Sequence, residues 1–193
     1  MLVKYTNLSD EALMKRLQNR DTKAFDVIYK RYYQKLYYFI LKMTRNNKDV
    51  SNDIVQDVFY KLLNSPQKFD VNKKFHSWVF TVTANECRKH FRFPVHEDIE
   101  NNNQNEIPEF TIEKLDLTAF KQKIDVLLEE VNDRQKEAFI LRHQENFTLQ
   151  EIAEIQDCAL GTIKSRLHYT TKYLADKLEI YKTLIKTSDY GRL

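Results

Sequence analysis

The stretch Phe147–Leu174, FTLQEIAEIQDCALGTIKSRLHYTTKYL, predicts two helices joined by a tight turn. Thr148 and Glu151 have nearly the pattern of a capping box, which favours the start of a short helix there. A polar break follows around Asp157, a residue type that tolerates the left-handed conformation of tight turns. A longer helix then begins at about Leu160, and its apolar residues recur at helical spacing. This order of elements is typical of a helix-turn-helix.

The outer face of the second helix is basic and rich in hydroxyl groups. It carries Lys164, Ser165, His168 and Lys172, with Arg166 and Tyr169 on its flanks. A short helix that supports a longer one with such a face is a common way to present side chains to the major groove of DNA. The stretch therefore predicts a DNA-binding unit. The alternative is an ordinary helical hairpin with a solvated basic face.

The composition favours an all-α fold with packed cores. The chain has 193 residues but only 2 glycines and 3 prolines, which argues against strands joined by tight turns. Hydrophobic residues make up 42%, enough for packed cores, and the length allows one ordinary domain or two small ones. The net charge of +3 identifies no partner by itself, so the distribution of charge along the chain matters more.

The sequence does not indicate disulfides, metal sites or membrane insertion. Cys87 and Cys158 lie far apart, which predicts free thiols in a reducing compartment. The five histidines are scattered without the spacing of metal ligands, so we expect no metal and no cofactor. No apolar run approaches the roughly 20 residues of a membrane helix, and the first residues lack the apolar core of a signal peptide. We therefore expect a cytoplasmic protein.

Four amphipathic helices are predicted in the first half of the chain, each with apolar residues at helical spacing. In chain order, the first is capped by Ser9, the second runs from Asp21 to about Met43, the third is capped by Ser51 or Asn52 and ends before Pro66, and the fourth runs from Phe75 to about Phe93. An irregular basic loop, residues 67–74, precedes the fourth helix.

The segment Lys61–Arg92 combines positive charge with aromatic rings. It contains seven basic residues and two acidic ones. Such a mixture suits single-stranded nucleic acid, because nucleobases stack on aromatic rings while Lys and Arg contact the backbone. The alternative is that the aromatic residues form the core and the Lys and Arg side chains merely solvate one face.

The composition changes after Pro94 and predicts a flexible linker. Residues 93–117 contain seven acidic residues and one basic residue, and they include an Asn/Gln tract without apolar periodicity. Another helix is predicted from about Thr118, and a further one is capped by Asp133. We therefore predict two small helical domains at 1–93 and 118–185, an acidic linker at 94–117 and a tail at 186–193.

Three motifs together resemble a known family. They are DIVQDVF at Asp53–Phe59, FHSWVFTVTANECRKHFR at Phe75–Arg92, and the stretch from DRQKEAFILRH at Asp133 to EIAEIQDCALGTIKSRL ending at Leu167. In this order they resemble bacterial sigma factors of the extracytoplasmic-function group in the sigma-70 family, the promoter-recognition subunits of RNA polymerase. The match covers the chain from about Asp10 to about Lys177.

The resemblance implies a factor that binds core RNA polymerase and directs promoter-specific transcription initiation. Asp53, Gln56 and Asp57 match the family positions that dock on the largest polymerase subunit, where exposed carboxylates suit a basic partner. Many members of the group are restrained by an anti-sigma factor, which is a further partner that the resemblance allows. No catalytic residues are expected, since neither a nucleophile-base pair nor a glycine-rich phosphate loop is present.

For the minus-ten element, the resemblance assigns six residues of the first half. Asn85 matches the position that reads an unpaired base, because an amide can pair with a base edge. Trp78 is either a contact or a core residue, and Arg88 and Arg92 are expected at phosphates. Phe69 and Asp70 lie in the loop that matches the family's base-capturing loop.

For the minus-thirty-five element, the resemblance assigns the face of the recognition helix. Lys164, Ser165, His168 and Tyr169 match base- and phosphate-contacting positions, and Thr162 lies at the helix N-terminus where a phosphate binds. Arg166 is left with two roles, a phosphate contact or an internal ion pair with an acid such as Glu151.

The sequence also departs from the family at several positions. Val131-Asn132 stands where Leu-Pro is common, Asp157 replaces the usual turn glycine, Ala159 replaces the capping Ser or Thr, and Lys89 replaces an acid. The absence of a cap at Ala159 predicts a recognition helix that settles fully only on polymerase or DNA. Two other classes of protein remain as alternatives, a helix-turn-helix regulator that acts without polymerase and a metal-dependent enzyme acting on nucleic acid.

Overall fold

The computed structural model describes residues 3–92 and 117–178, and every regular element in these two ranges is helical. The helices are α1 Val3–Thr6, α2 Asp10–Gln18, α3 Lys23–Met43, α4 Lys48–Asn64, α5 Phe75–Arg92, α6 Leu117–Leu128, α7 Asp133–His143, α8 Leu149–Gln156 and α9 Leu160–Lys177, with a 3-10 turn at Pro66–Lys68 between α4 and α5. The all-α fold class is confirmed. Most of the predicted linker and the predicted tail lie outside the described residues.

Helices α2, α4 and α5 pack around α3, the longest helix. The buried residues of α3 recur every three or four positions, as the sequence predicts: Ala24, Val27, Ile28, Tyr32, Leu36, Phe39, Ile40 and Met43. The predicted cap of α2 is confirmed, since the hydroxyl of Ser9 accepts a hydrogen bond from the Ala12 N–H at 3.2 Å. α4 ends at Asn64, just before Pro66, also as predicted.

Two predicted helix starts in the first half are wrong. α3 begins at Lys23, and Asp21 instead accepts a hydrogen bond from the Tyr5 hydroxyl at 2.9 Å. α4 begins at Lys48, because Asn47 already has extended geometry and its side chain accepts from the Val50 N–H at 3.1 Å. Ser51 is therefore inside the helix, where it is buried and its hydroxyl donates to the Asn47 carbonyl at 2.5 Å.

In the second half, side-chain caps mark the starts of both α7 and α8. The cap of α7 is Asn132, whose side chain accepts from the Gln135 N–H at 2.9 Å, so the predicted cap at Asp133 is wrong by one residue. The cap of α8 is confirmed: Thr148 and Glu151 form a reciprocal capping box. Each cap satisfies N–H groups that a helix start would otherwise leave unpaired.

The turn between α8 and α9 has the geometry that the sequence predicts. Asp157 adopts the left-handed conformation, with φ 49° and ψ 60°. α9 starts after Ala159, which has extended geometry but provides no side-chain hydrogen bond. Ile163 is buried in the main core, against which Leu167 also packs, and Leu174 is buried further along the helix. Helices α7, α8 and α9 all contact one another, so the helix-turn-helix is held on a small helical support.

The two halves of the chain share one continuous hydrophobic core. Buried residues of α3, α4 and α5 are contiguous with buried residues of α7, α8 and α9. Phe147, in the loop before α8, is 2% exposed and lies against Phe80 of α5, with ring centroids 5.1 Å apart. A smaller cluster joins α6 to the end of α9 through Leu127, Leu128, Leu174 and Leu178. The domain boundaries remain a prediction, although this packing places the predicted domains directly against each other.

None of the helices within residues 3–92 and 117–178 is both long and apolar enough to span a membrane.

Candidate nucleic-acid interface

A cleft of about 520 Å³ lies between α4, α5 and the second half of the chain. Its walls carry five basic side chains, which are Lys61, Lys68, Arg88, Lys89 and Arg134. Four of them come from the segment whose excess of positive charge predicts nucleic-acid binding. Arg134 comes from α7, more than forty residues further along the chain, and no sequence signal places it here.

Asn85 and Trp78 both line this cleft. Asn85 is exposed on α5, and its carbonyl oxygen accepts a hydrogen bond from the Arg88 guanidinium. Trp78 is half-buried, with its ring 5.2 Å from that of Phe69 and 5.9 Å from that of Phe75. The two alternatives for Trp78 therefore both have support, because the ring packs on the core and also faces the cleft.

The two loop candidates differ in accessibility. Phe69 is 2% exposed and packs edge-on against Phe75, so its ring offers no free face to a nucleobase in this conformation. Asp70 is exposed, and its carboxylate accepts hydrogen bonds from the backbone and side chain of Asn72, both at 3.0 Å. Neither residue lines the cleft. The side chain of Arg92, at the end of α5, lies outside the described residues.

Arg88 is engaged within the protein. Its guanidinium contacts both carboxylate oxygens of Glu137 on α7, at 2.8 and 3.0 Å, and donates to the Ile155 carbonyl of α8 at 3.4 Å. The Glu137 side chain is only 1% exposed. Burial raises the pKa of Glu137, while the charge of Arg88 opposes that rise. Sequence reasoning missed Glu137, because its partner lies 49 residues away.

A second charged cluster lies on the α4–α5 side of the cleft. Glu86 forms ion pairs with Lys61 and Lys89, the latter at 3.0 Å. Burial tends to raise the pKa of Glu86, but hydrogen bonds from the two lysines outweigh burial and leave it below its ordinary value. Lys61 and Lys89 are therefore partly neutralised, although both remain at the cleft wall.

The recognition helix presents most of its predicted face to solvent. Lys164, Ser165, His168 and Tyr169 are exposed, and Thr162 is half-buried near the start of α9. The Ser165 hydroxyl donates to the Gly161 carbonyl at 3.1 Å. Tyr169, at 62% exposed, is among the most exposed large apolar side chains of the described residues. Such an aromatic side chain beside polar groups is suited to a binding face.

Arg166 turns inward. Its guanidinium donates to the side-chain oxygen of Gln156 and to the Cys158 sulfur at 3.4 Å. The ion pair with Glu151 that was one of its two expected roles does not form. Glu151 instead pairs with Lys74 of the loop before α5 at 2.9 Å, and with Thr148 in the capping box. These contacts of Arg166 thus stabilise the turn between α8 and α9.

The expected polymerase-binding residues lie on α4. Asp53, Gln56 and Asp57 are all exposed, while Val55 and Val58 of the same helix are buried. Asp53 and Asp57 line a smaller cleft of about 320 Å³, which also contains Lys89. Within residues 3–92 and 117–178, no group of three or more His, Cys, Asp or Glu side chains is arranged to hold a metal ion.

Comparison with known proteins identifies both halves of the chain. The sequence family described as sigma-70 region 2 matches residues 28–93, and sigma-70 region 4 matches residues 121–169. The two ranges together cover more than half of the chain. Region 2 contains Asn85 and the exposed acids of α4, and region 4 contains the helix-turn-helix.

Curated relatives match over nearly the full length. The ECF RNA polymerase sigma-E factor of Haemophilus influenzae is 27% identical, with 89% of this chain and 96% of the relative covered. The protein of the same name from Escherichia coli is 26% identical, with 89% and 95% covered.

Solved structures share the fold. CnrH in complex with the cytosolic domain of CnrY superposes with a TM-score of 0.67 at 17% identity, over 89% of this chain and 97% of CnrH. The sigma factor RpoE of Bartonella quintana, in complex with the anti-sigma factor NepR, gives a TM-score of 0.63 at 24% identity, over 82% and 98%. The two family matches and the curated relatives show that the chain belongs to the sigma-70 family of RNA polymerase sigma factors, in the extracytoplasmic-function group.

Proposed function

We propose that this sigma factor binds bacterial core RNA polymerase and directs promoter-specific transcription initiation in the cytoplasm, without catalysing a reaction itself. The observation that carries the proposal is the presence of sigma-70 regions 2 and 4 in one chain. A helix-turn-helix regulator would need only the second of these regions. The sigma factor RpoE of Bartonella quintana has been solved with the anti-sigma factor NepR, and we extend that class of partner to this protein.

The proposed polymerase-binding surface is the exposed side of α4 with Asp53, Gln56 and Asp57. Two carboxylates one helical turn apart form a compact negative patch. Such a patch attracts a basic partner surface over a distance and accelerates association more than it strengthens the final complex. The amide of Gln56 adds a donor and an acceptor that fix orientation.

The proposed minus-ten site is the α5 side of the cleft. Asn85 offers a bidentate amide, Trp78 offers a partly open ring, and Arg88 and Arg92 provide phosphate contacts. No bond needs to be made or broken there. Opening the duplex costs stacking energy, and capture of the unpaired bases offsets that cost. Asp70 is retained as an exposed candidate and Phe69 as a support for Trp78.

The proposed minus-thirty-five site is the exposed face of α9. Lys164 can donate to guanine acceptors in the major groove, and Ser165, His168 and Tyr169 can contact bases or phosphates. Thr162 lies near the N-terminus of α9, where backbone N–H groups favour a phosphate. Because Arg166 contacts Gln156 and Cys158, we assign it to the support of this face.

The decisive experiment is run-off transcription with core polymerase and genomic fragments. We expect the purified protein to co-elute with core polymerase and to produce discrete transcripts. A protein that binds DNA sites tightly alone and never associates with core polymerase would be a regulator of another kind.

Asn85→Ala tests the minus-ten assignment. We expect polymerase binding to remain and open-complex formation to fall by about 5- to 150-fold, because the lost base contact is worth about 1–3 kcal/mol. Gln122→Ala, which removes an exposed amide of α6, is the matched control. Loss of polymerase binding in the Asn85 variant would instead assign Asn85 a structural role.

Lys164→Ala tests the minus-thirty-five assignment. Promoter affinity of the polymerase complex should fall, and the preference at one base position should relax, since a base contact carries sequence information. Lys121→Ala removes an exposed lysine of α6 and should leave both quantities unchanged. Unaltered promoter affinity and sequence preference in the Lys164 variant would remove this residue from the site.

A further inference from the structure

Helix α2 lies against the base-capturing loop, residues 67–74, although the match to sigma-70 region 2 begins only at residue 28. The helix contacts the 3-10 turn at Pro66–Lys68, where the loop begins, and also α5, where the loop ends. Its own position is fixed by burial, because Leu13, Met14 and Leu17 are at most 3% exposed. α2 is therefore a rigid support for the loop that lies outside the matched region.

The side-chain amide of Gln18 holds the beginning of the loop. Its nitrogen donates to the Pro66 carbonyl at 3.0 Å and to the Phe69 carbonyl at 2.8 Å. An amide nitrogen has two N–H groups, so both are used on backbone acceptors that lie 48 and 51 residues further along the chain. Because the Phe69 carbonyl belongs to the peptide group that leads into Asp70, this bond fixes the direction in which the chain leaves the core.

The carboxylate of Glu11 holds the end of the same loop. One of its oxygens accepts a hydrogen bond from the Phe75 N–H at 3.0 Å. Phe75 is the first residue of α5, and its N–H is one of the groups that a helix leaves unpaired at its start. Lys74, the residue before it, is not of a type that caps helices. A residue 64 positions earlier in the chain therefore supplies the cap.

The two anchors lie on one face of α2. Glu11 and Gln18 are two helical turns apart, so their side chains leave the helix on the same side, with Cα atoms separated by roughly 10 Å. Between the anchored ends, the buried ring of Phe69 packs on Phe75 and Trp78. The loop is thus held at both ends by α2 and in between by one buried ring.

The tip of the loop, residues 70–72, is a compact turn with exposed polar groups. The Asp70 carboxylate accepts hydrogen bonds from the backbone and side chain of Asn72, both at 3.0 Å, and the Asp70 carbonyl accepts from the Lys73 N–H at 2.9 Å. Asp70 and Asn72 are both exposed. A carboxylate and an amide are groups that can pair with base edges, so the tip is suited to select a base.

We propose that Gln18 and Glu11 are positioning residues of the minus-ten site, which hold the base-capturing loop so that its tip selects one unpaired base. The inference rests on the proposed function, since it requires the loop to meet promoter DNA. Ordering a backbone segment costs conformational entropy. A loop that is ordered before DNA arrives avoids this cost at the moment of binding, so its contact with the base contributes more fully to affinity and selectivity.

Gln18→Glu tests the first anchor. The variant keeps the shape of the side chain, removes both N–H donors and places a carboxylate against two carbonyl oxygens, so it should release the loop. In the complex with core polymerase, we expect selectivity among the four bases to fall about fivefold or more at one minus-ten position, as for the loss of one base contact. Open-complex formation is measured on a promoter substituted singly at each minus-ten position.

Asn19→Asp is the matched control. It makes the same change from amide to carboxylate at the neighbouring residue, whose amide donates to the Lys15 carbonyl at 2.9 Å within α2. This variant should keep the selectivity of the unmodified protein at every minus-ten position, because its lost bond does not reach the loop.

The second anchor allows a disruptive variant to be compared with a conservative one. Glu11→Leu removes the acceptor and should reduce selectivity at the same minus-ten position as Gln18→Glu. Glu11→Gln retains a side-chain oxygen that can accept from the Phe75 N–H, so its selectivity should stay within about twofold of that of the unmodified protein. If Gln18→Glu does not fold, this pair of Glu11 variants decides between the same outcomes.

A double variant of the tip, Asp70→Ala with Asn72→Ala, separates positioning from general support of the fold. It removes the polar groups through which the anchors are proposed to act. Adding Gln18→Glu to this double variant should cause no further loss of selectivity, because residues that act through one contact are not additive.

Three results would overturn the proposal. They are unchanged selectivity of the Gln18 variant at every minus-ten position, an equal loss at all positions, and a loss that adds fully to that of the tip variant. Each of them leaves the transcription function intact, since the unmodified protein still forms open complexes. If the unmodified protein forms no open complex with core polymerase, the proposed function fails, and the positioning role fails with it.

Discussion

At the scale of single residues, Asp157 shows how one backbone conformation holds the helix-turn-helix together. It ends α8 in the left-handed region, and its N–H donates to the carbonyls of Ala153 and Glu154. The next N–H, of Cys158, donates to the Ala153 carbonyl at 3.0 Å. These bonds satisfy carbonyls at the end of α8 that would otherwise lack a partner, as left-handed helix caps commonly do.

Asp157→Gly should stabilise the protein. Glycine adopts the left-handed region without the steric conflict of a Cβ atom, and we expect the free energy of unfolding to rise by about 0.5–1 kcal/mol. Asp157→Ala is the matched control and should lower it by a similar amount, because alanine gains nothing from a local polar contact there. Urea denaturation followed by circular dichroism measures both changes. A glycine variant less stable than the parent would show that the carboxylate of Asp157 has a role of its own.

The sequence pattern predicted some local features, such as the turn at Asp157. It could not predict which residues far apart in the chain contact each other. Asp157 was identified because few residue types tolerate its conformation. Glu137 was not, because an acid on an amphipathic helix has no local signature that distinguishes a buried partner of Arg88 from a solvated charge. Phe69 lies in the loop where the family resemblance predicts base capture, yet the structure buries its ring against Phe75 and Trp78.

At the scale of helices, caps decide where each element begins, and they explain which predicted boundaries are correct. Ser9 and Thr148 directly precede apolar periodic runs, so their helices start where the sequence predicts. Asn47 lies a few residues before the predicted cap of α4, and Asn132 lies one residue before the predicted cap of α7. In these places several polar residues in a row could each have capped the helix. The backbone geometry, which the sequence pattern does not report, selects the first suitable one.

α9 lacks such a cap, and Ala159→Ser should provide one. Ala159 already has the extended geometry of a capping residue, with φ −64° and ψ 147°, so a serine hydroxyl there can accept from a free N–H of the first turn. We expect the free energy of unfolding to rise by about 1 kcal/mol and amide exchange in the first turn of α9 to slow. Ala175→Ser, inside the same helix, is the control and should be slightly destabilising, because serine has a lower helix propensity than alanine. Strong exchange protection of the first turn in the unmodified protein would contradict the expectation that α9 settles only when bound.

At the scale of the whole molecule, the packing of the two halves is the feature that the sequence could not predict. The acidic stretch around residues 93–117 lies between the segments that match sigma-70 regions 2 and 4. It indicates nothing about how they meet. The contacts that join them link positions 49 residues apart, for Arg88 and Glu137, or 77 residues apart, for Lys74 and Glu151. Helical periodicity extends over only a few turns, so such pairs leave no trace in it.

The ionisation of Glu151 reports this contact in solution. Hydrogen bonding to Lys74, followed by hydrogen bonding within the capping box, lowers the pKa of Glu151 from an ordinary 4.5 to about 2. A lowered carboxyl pKa stabilises the fold above pH 4.5 and loses that contribution as the pH falls towards 2. In Lys74→Ala, carboxyl NMR titration should show the pKa of Glu151 rising part of the way back, because the bonds to Thr148 remain. The variant should also lose less stability on acidification than the parent. Lys73→Ala removes the same charge from an exposed neighbour and is the control. If the pKa of Glu151 in the unmodified protein already lies near 4.5, or does not respond to Lys74→Ala, regions 2 and 4 are apart in solution.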